Sequence, residues 1–205
     1  MITKQYRILE PFVKEPWKKF TFKEIKRQTH NRSDNYVHKG LKQFVSLEIL
    51  QEQKVGNNIL YFFANFVFAR ESAGFIAEKV AHETKYLPHD NLFKLINKIK
   101  TVFFIFLITG SYAKKKYTSK SDVDVVIICD SKRETKSILA QIKLESELMI
   151  PEVHPHVFTQ DEFYQMILSS EENYGKEITR NNLIIAGGRE YYSIILEAVQ
   201  HGFNG

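Results

Sequence analysis

The chain has 205 residues, of which 43% are hydrophobic and 26% are charged, and its formal net charge is +5 at pH 7. This composition predicts a globular protein with one large or two small domains. No apolar stretch reaches the roughly 18 residues of a membrane helix, and the amino terminus lacks the pattern of a signal peptide. The single Cys129 excludes an internal disulfide and a cysteine-ligated zinc site, and we expect it to be a core thiol in a reducing cytoplasm.

The basic excess is confined to the amino-terminal part of the chain. Residues 1–60 contain 12 Lys and Arg against 6 Asp and Glu, whereas residues 61–205 contain 17 against 18. Such an asymmetry suggests contact with nucleic acid through the first domain. Lysine-rich surfaces also occur for solubility alone, so both interpretations stay open.

The sequence pattern of residues 1–65 predicts a separate module of three helices followed by two strands. Thr21 and Glu24 have the spacing of a capping box at the start of the second helix. Gly56 and Asn57 lie in a turn that joins the two strands as a hairpin. The predicted elements are helices at 2–13, from 21 onward and at 33–46, and strands at 49–54 and 59–63.

This order of elements resembles a winged helix-turn-helix. In the DNA-binding members of that family the third helix enters the major groove. Many other winged-helix modules mediate protein contacts or pair with a second copy, so a homodimer is an alternative to DNA binding. The resemblance implies that the residues that read bases or contact phosphates are Arg32, Asn35, His38, Lys39 and Lys42, with Lys54 and Asn57 on the wing.

A helical pattern over 66–85 follows the first module and is broken at Pro88. Asp90 is predicted to cap a further helix over 91–100. We therefore divide the chain into a winged-helix-like domain at 1–65, a helical linker at 66–89 and a second domain at 90–205.

The first predicted strand of the second domain ends in a glycine. The run VFFIFLI at 102–108 is rich in β-branched and aromatic residues, which favours a strand. Gly110 permits a tight turn and the close approach of a ligand, and Ser111 adds a hydroxyl and an amide N–H. Together they indicate a corner that can hold polyphosphate.

Two aspartates begin the next apolar strand. Asp122 and Asp124 project from the same face, because side chains two apart on a strand point the same way. Adjacent carboxylates repel one another unless a cation lies between them, and Mg²⁺ prefers a few carboxylates with phosphate oxygens and water. The pair therefore predicts a metal-bound nucleotide.

The remaining sequence alternates between helices and short strands. Thr159 and Glu162 have the spacing of another capping box, and Pro155 favours an edge position for its strand. The predicted helices lie at 133–149, from 159 to 170, at 175–182 and at 190–200, and the predicted strands at 153–159 and 183–186.

The motif GSYA at 110–113 and the motif SDVD at 121–124 resemble the signature of the DNA polymerase β-type nucleotidyltransferases, in particular their minimal branch. The resemblance covers about residues 90–200. It implies an α/β (α+β) fold, in which helices flank a mixed sheet. It also implies Mg²⁺-dependent transfer of a nucleoside monophosphate from a nucleoside triphosphate, with release of pyrophosphate.

The resemblance assigns roles to the residues of the two motifs. Asp122 and Asp124 hold Mg²⁺ or Mn²⁺ between the triphosphate and the attacking oxygen. Lysines 114–116 can neutralise triphosphate charge, although three adjacent lysines are also typical of a solvated face. The predicted nucleotide-binding residues are Gly110, Ser111, Lys114 and Ser121.

The chain departs from the family at one position. Relatives place a third carboxylate on the next strand, where this chain has His154. Glu152 and His156 share a face with His154 on an extended strand, so Glu152 can substitute from one step away. A neutral imidazole can also bind metal or act as a general base. The alternatives are a polar strand face without a role, or a domain that binds nucleotide without efficient turnover.

Three functions from different classes remain open at this point. The first is transfer of AMP from ATP to an acceptor, because minimal nucleotidyltransferases resemble the antitoxins that adenylylate HEPN toxins. A partner protein such as a HEPN toxin is then the expected acceptor. The second is a DNA-binding transcriptional regulator whose nucleotidyltransferase domain senses nucleotide and is weakly active or inactive. The third is a non-catalytic protein-interaction module.

Overall fold

The computed structural model describes residues 4–31 and 33–205 and shows helices and strands nearly in the predicted order. The first part contains a 3₁₀ helix at Lys4–Leu9, then α1 (Glu10–Lys14), β1 (Phe20–Thr21), α2 (Phe22–Gln28), α3 (Asp34–Ser46), β2 (Leu50–Val55) and β3 (Asn58–Phe63). The second part contains α4 (Val67–His82), α5 (His89–Ile96), β4 (Phe104–Ile108), α6 (Gly110–Ala113), β5 (Val123–Cys129), α7 (Lys132–Ser146), β6 (Val153–Thr159), α8 (Gln160–Leu168), α9 (Tyr174–Arg180), β7 (Leu183–Ala186) and α10 (Gly188–Gln200).

The amino-terminal helices begin where local hydrogen bonds predict. The Glu24 amide donates to Thr21 Oγ1 at 3.3 Å, and the Thr21 amide donates to the Glu24 carboxylate at 2.8 Å, so the predicted capping box is confirmed. These hydrogen bonds favour the ionised carboxylate, and the Thr21 amide is the main reason that the pKa of Glu24 lies below its ordinary value. Ser33 Oγ caps α3 by accepting a hydrogen bond from the Tyr36 amide.

The first module closes with a three-stranded antiparallel sheet in the order β1-β3-β2. The hairpin between β2 and β3 turns at Gly56, whose φ of 59° is the left-handed conformation that glycine adopts readily. Helix α3 buries Val37, Leu41 and Phe44 against this module, which leaves its opposite face in solvent. The predicted DNA contact Arg32 lies outside the described residues.

The second sheet is mixed, with the strand order β6-β5-β4-β7. Strand β4 is antiparallel to both β5 and β7, whereas β5 and β6 run parallel and are joined by α7. The prediction of a mixed sheet with flanking helices is confirmed. Strand β6 lies at the edge of the sheet. Pro155 has no amide hydrogen, and the hydrogen bonds between β6 and β5 do not require one at this position.

Both faces of this sheet are covered, which explains why β4 and β5 are apolar almost throughout. Val126 and Ile128 belong to one buried cluster, and Val125 and Ile127 to the other. Residues that alternate along a strand point to opposite faces. Asp124 precedes Val126 by two positions, so its side chain lies on the face that packs against α8, α9 and α10.

Helix α4 packs along α10 and β7 over most of its length, although its segment was predicted as a linker. One buried cluster runs without interruption from the amino-terminal helices into the mixed sheet. Tyr192 connects the two parts directly, because its ring lies 6.3 Å from that of Phe63 and its hydroxyl donates to the Val13 carbonyl at 2.7 Å. Within the described parts of the chain, no helix combines the length and apolarity of a membrane span.

Proline explains two of the differences between the predicted and the observed helices. Pro11 has no amide hydrogen, so the α-helix starts at Glu10, where the proline occupies the first turn, and a 3₁₀ helix precedes it. Asp90 does not cap α5. The Pro88 carbonyl already accepts hydrogen bonds from the Asn91 and Leu92 amides, so that helix begins earlier than predicted.

The α4–α10 crossing yields a stability prediction. A methyl group at Gly74 would meet backbone atoms of Gly188 and Arg189, the carbonyl carbon of Gly188 at 2.6 Å among them. We expect Gly74→Ala to lower the free energy of unfolding by about 1–3 kcal/mol, because the backbone cannot move aside easily. Chemical denaturation monitored by circular dichroism measures the change.

Gly40→Ala is the matched control within another helix. A methyl group there would meet the end of the flexible Ile8 side chain rather than backbone. Alanine also gains up to about 1 kcal/mol of helix propensity over glycine, which offsets part of the crowding. A Gly74→Ala protein as stable as Gly40→Ala would contradict the proposed close crossing.

Candidate active site

The end of β4 meets β5 at a corner that only glycine fits. Gly110 has a φ of 63°, and the Thr109 amide before it donates to the Asp124 carbonyl at 2.9 Å. A methyl group on Gly110 would collide with a carboxylate oxygen of Asp124 and lie 2.9 Å from its carboxyl carbon. Thr109 Oγ1 further donates to the Asn181 carbonyl at 2.8 Å, which fixes the corner from its other side. The structure therefore brings the bend and Asp124 into contact.

Asp122, Glu152 and His154 form a cluster at the adjoining ends of β5 and β6. His154 Nε2 lies 3.7 Å from Asp122 Oδ2 and 3.4 Å from Glu152 Oε1. One ligand atom from each of the three residues lies within 4.8 Å of the others. The cluster exists because β5 and β6 are parallel and in register, with Asp124 opposite His154.

The donor chemistry of this cluster fits a divalent cation. Two carboxylates suit Mg²⁺ and Mn²⁺, whereas an imidazole in the set is better accepted by Mn²⁺ than by Mg²⁺. The side chains of Asp122, Glu152 and His154 are partly or largely exposed, so water can complete the coordination. The sequence placed the metal on Asp122 and Asp124. The three-residue group brings Glu152 and His154 to Asp122, while Asp124 lies against Gly110.

The loop after Gly110 carries the remaining predicted nucleotide contacts. The Ser111 carbonyl accepts a hydrogen bond from the Lys116 amide at 2.9 Å, which closes the loop behind the bend. Lys114 forms an ion pair with Glu177 at 2.6 Å. Ser121 Oγ accepts a hydrogen bond from the Thr118 amide at 2.8 Å, so in this structure its side chain shapes the loop.

Three tyrosine rings hold this loop in place. Tyr117 stacks between Tyr112 and Tyr86, with ring centroids 4.7 and 5.0 Å apart. The Tyr86 hydroxyl donates to the Tyr112 carbonyl at 3.2 Å. Stacked rings of this kind limit the freedom of the lysine-rich loop, so its cations stay near the corner. Sequence analysis missed Tyr86 and Tyr117, because their stacking depends on residues more than 20 positions apart.

Tyr174 at the start of α9 also borders the site and was missed. Burial raises the pKa of Tyr174 to about 12, and the negative charges of Asp124 and Glu177 contribute to this shift. Its ring lies 5.1 Å from that of His156, so His156 faces Tyr174, two residues beyond the cluster member His154. Nothing in the local sequence could have indicated this neighbour, because α9 lies 50 residues beyond Asp124.

Residues 94–178 match a protein-family model described as a nucleotidyltransferase domain. This span contains the Gly110 corner, both aspartates and the cluster on β6. This chain carries a nucleotidyltransferase domain. The matched region ends within α9, so the nucleotidyltransferase domain includes Tyr174 and Glu177, and the elements before residue 94 lie outside the match.

A solved structure described as "Crystal structure of the toxin-antitoxin with AMP-PNP" is similar to part of the chain. The similarity has a TM-score of 0.37 and 11% sequence identity, and it covers 56% of this chain and 89% of the other. At this TM-score it carries no argument for fold or function. A search of curated proteins gave no match.

The corner yields a prediction about nucleotide binding. Gly110→Ala should weaken binding of ATP with Mn²⁺ by at least ~10-fold, equivalent to about 1.4 kcal/mol, because the added methyl group displaces the Asp124 carboxylate. Isothermal titration calorimetry measures the affinity.

Gly56→Ala is the control for backbone strain. Gly56 has almost the same φ, 59° against 63°, but a methyl group there meets no atom within 4 Å. This variant should lose a similar amount of stability and keep its nucleotide affinity. Equal losses of affinity in the two variants would show that the contact with Asp124 is irrelevant.

Proposed function

We propose that the protein transfers a nucleoside monophosphate, AMP from ATP in the first instance, to an acceptor, with Mg²⁺ or Mn²⁺ as the cofactor. The observation that carries this proposal is the contact between Gly110 and the Asp124 carboxylate beside the cluster of Asp122, Glu152 and His154. In phosphoryl transfer, positioning and charge neutralisation supply most of the catalysis. At this corner, the contact between Gly110 and Asp124 would supply the positioning, and a cation held by the cluster would neutralise charge.

The residues of the bend would bind the triphosphate. Gly110 has no side chain that would keep the triphosphate away from the backbone, and Ser111 offers its hydroxyl and its amide as hydrogen-bond donors to the phosphates. The ammonium groups of Lys115 and Lys116 lie on the exposed loop that follows. The ion pair with Glu177 keeps the Lys114 side chain at the site before nucleotide binds. Lys114 would then release Glu177 and bind the phosphates in its place.

The reaction forms a bond between an acceptor oxygen and the α-phosphorus, and the bond from the α-phosphorus to the bridging oxygen breaks as pyrophosphate leaves. Asp122, Asp124, Glu152 and His154 would hold the cation, which when bound neutralises triphosphate charge and acidifies the acceptor hydroxyl. Asp124 would accept the proton of that hydroxyl, or His154 would do so if its imidazole does not bind the cation. His154 thus stands where relatives place a third carboxylate.

We further propose that the acceptor is a macromolecule, such as a HEPN-type toxin. The cluster lies at the surface, with 51% of the His154 side chain exposed. Leu148 and Ile150 just before it are 93% and 91% exposed, which makes an apolar rim beside the reacting groups. A site that is open and bordered by exposed apolar residues favours docking of another protein over enclosure of a small acceptor.

Loss of the two aspartates tests the proposed chemistry. Asp122→Asn combined with Asp124→Asn should lower transfer of labelled AMP by about 10³-fold or more, because removal of a transition-state charge stabiliser costs on the order of 10²–10³ for one group. The assay follows label from ATP, CTP, GTP and UTP onto protein acceptors, with pyrophosphate release as a second readout.

Asp130→Asn is the matched control for this experiment. Asp130 is an exposed aspartate directly after the same strand, and it accepts a hydrogen bond from Gln160. The control variant should transfer label at the normal rate. Unchanged transfer in the double variant would rule out the catalytic assignment of Asp122 and Asp124.

The imidazole at the third position leads to a separate metal prediction. His154→Asn should weaken Mn²⁺ binding by at least ~10-fold, about 1.4 kcal/mol, and should reduce any preference for Mn²⁺ over Mg²⁺. His156→Asn should do neither, because His156 packs against Tyr174. Electron paramagnetic resonance of free Mn²⁺ measures binding directly. If the two histidine variants bind Mn²⁺ equally well, His154 is not a ligand.

A second candidate function concerns the first module, for which we propose a winged helix at 1–65 joined through 66–89 to the nucleotidyltransferase domain at 90–205. One face of α3 supports DNA binding: its four polar or basic residues follow helical spacing and are all exposed, and they are Asn35, His38, Lys39 and Lys42. Lys54 and Asn57 on the hairpin are exposed as well.

The His38 ring stacks on the Phe22 ring with centroids 4.0 Å apart, which fixes the His38 ring within this face of α3. The protein would then be a DNA-binding regulator whose second domain senses nucleotide.

The basic face yields a test that is independent of catalysis. Lys39→Ala combined with Lys42→Ala should weaken binding to duplex DNA and reduce the slope of log affinity against log salt by about 2, one unit for each lost phosphate contact. Fluorescence anisotropy at several salt concentrations measures both quantities. Lys132→Ala combined with Lys136→Ala, on exposed positions of α7, is the charge-matched control. A salt-independent affinity would exclude the DNA interpretation.

A further inference from the structure

A cavity of about 600 Å³ lies between the first module and the nucleotidyltransferase domain. One wall is contributed by α1 with Lys14, another by α4 with Val80, and a third by the chain around Lys115 and Asn181. Ligand pockets typically have volumes of about 300–1,000 Å³ and occur preferentially where two structural units meet. The size and place of this cavity therefore suit a small molecule.

The floor of the cavity is apolar and firmly packed. Tyr191 and Tyr192 are almost completely buried beneath it, together with Ile76 of α4. The Tyr191 hydroxyl accepts a hydrogen bond from Asn182 at 2.9 Å. The Tyr192 hydroxyl donates to the Val13 carbonyl, so the floor is tied to the opposite wall. Such a floor provides a preformed surface for a flat apolar group.

The mouth of the cavity carries an excess of positive charge. Two of its cations are already neutralised, because Lys114 pairs with Glu177 and Arg180 forms two hydrogen bonds with Glu172. Lys14 and Lys115 form no ion pair with any residue in the described ranges. They therefore remain available to an anion.

One acidic group, Glu10, also lines the cavity, and its carboxyl group is partly desolvated. Burial raises the pKa of Glu10, while the nearby Arg7 acts in the opposite direction with less effect. An anionic ligand would therefore face two free ammonium groups and one carboxyl group that is partly desolvated. The balance favours a phosphate or a similar anionic head at the mouth.

The cavity lies beside the candidate active site and shares Lys114 and Lys115 with the loop that would bind triphosphate. Among the described residues that line it there is no Gly110, Asp122 or Asp124. The wall residue Asn181 nevertheless accepts the hydrogen bond of Thr109 Oγ1, and Ala113 at the end of α6 belongs to the lining. A ligand in the cavity would thus contact the supports of the catalytic corner without reaching its carboxylates.

We propose that this cavity binds a nucleoside phosphate as an effector, with its phosphate at Lys14 and Lys115 and its base on the apolar floor. The side-chain amide of the lining residue Asn181 offers a donor and an acceptor that suit a base or a ribose, and that a plain hydrocarbon chain would leave unused. The ligand would touch both structural units and so couple the state of the first module to the corner at Gly110. This inference does not depend on turnover at the active site.

The test uses the full chain with Asp122→Asn and Asp124→Asn, so that the active site cannot contribute a metal-dependent binding signal. AMP is titrated in EDTA by isothermal titration calorimetry, and we expect one site. Lys14→Glu should weaken this binding at least 10-fold, and Val80→Trp should do so by filling the cavity from its rim. Lys23→Glu, an exposed charge reversal on α2, should leave the affinity unchanged.

Three results would overturn the proposal. They are the absence of AMP, ADP and GMP binding in EDTA, equal affinity in the Lys14→Glu and Lys23→Glu proteins, and binding of decanoate in place of any nucleotide. Its failure is separable from failure of the proposed reaction, because Lys14→Glu in the otherwise unchanged protein should transfer label at the normal rate without added effector. Both Lys14→Glu and Val80→Trp alter exposed positions, and circular dichroism verifies their fold.

Discussion

The absence of a side chain at Gly110 is the constraint on which the candidate site depends. Any larger residue would push against the Asp124 carboxylate and would also have to adopt a left-handed backbone conformation. Thr109 secures the corner on both sides, with its amide on the Asp124 carbonyl and its hydroxyl on the Asn181 carbonyl. Backbone and carboxylate therefore approach each other before nucleotide arrives, which reduces the reorganisation that a reaction would require.

The mixed topology of the sheet places the reacting groups around this corner. An antiparallel neighbour brings the end of β4 to the start of β5, and a parallel neighbour brings the start of β6 to the same edge. Only this combination puts Gly110, Asp122 and His154 at one end of three adjacent strands. The exposed edge of β6 leaves the cluster accessible, and Tyr174 of α9 lies against His156 on the same strand.

Much of this arrangement could be predicted from local sequence, because short-range chemistry fixes it. The apolar runs of β4 and β5 and the capping boxes at Thr21 and Thr159 need only their immediate neighbours. The start of α5 could not be predicted correctly, since it depended on the Pro88 carbonyl. Tyr174 and Glu177 were missed for a different reason: they reach the site only through the packing of α9, and one sequence contains no record of contacts across such distances. The sequence shows a histidine at position 154, where a carboxylate was expected. The distances from this histidine to Asp122 and Glu152 could be learned only from the structure.

The shared core has a consequence for how the protein folds and can be divided. Helix α4 packs on α10, and Tyr192 contacts both Phe63 and Val13, so apolar surface is continuous across the predicted domain boundary. A fragment cut at that boundary would expose apolar residues that are buried in the whole chain. Such a fragment would tend to aggregate rather than fold as an autonomous unit. The whole chain should therefore melt in one cooperative transition.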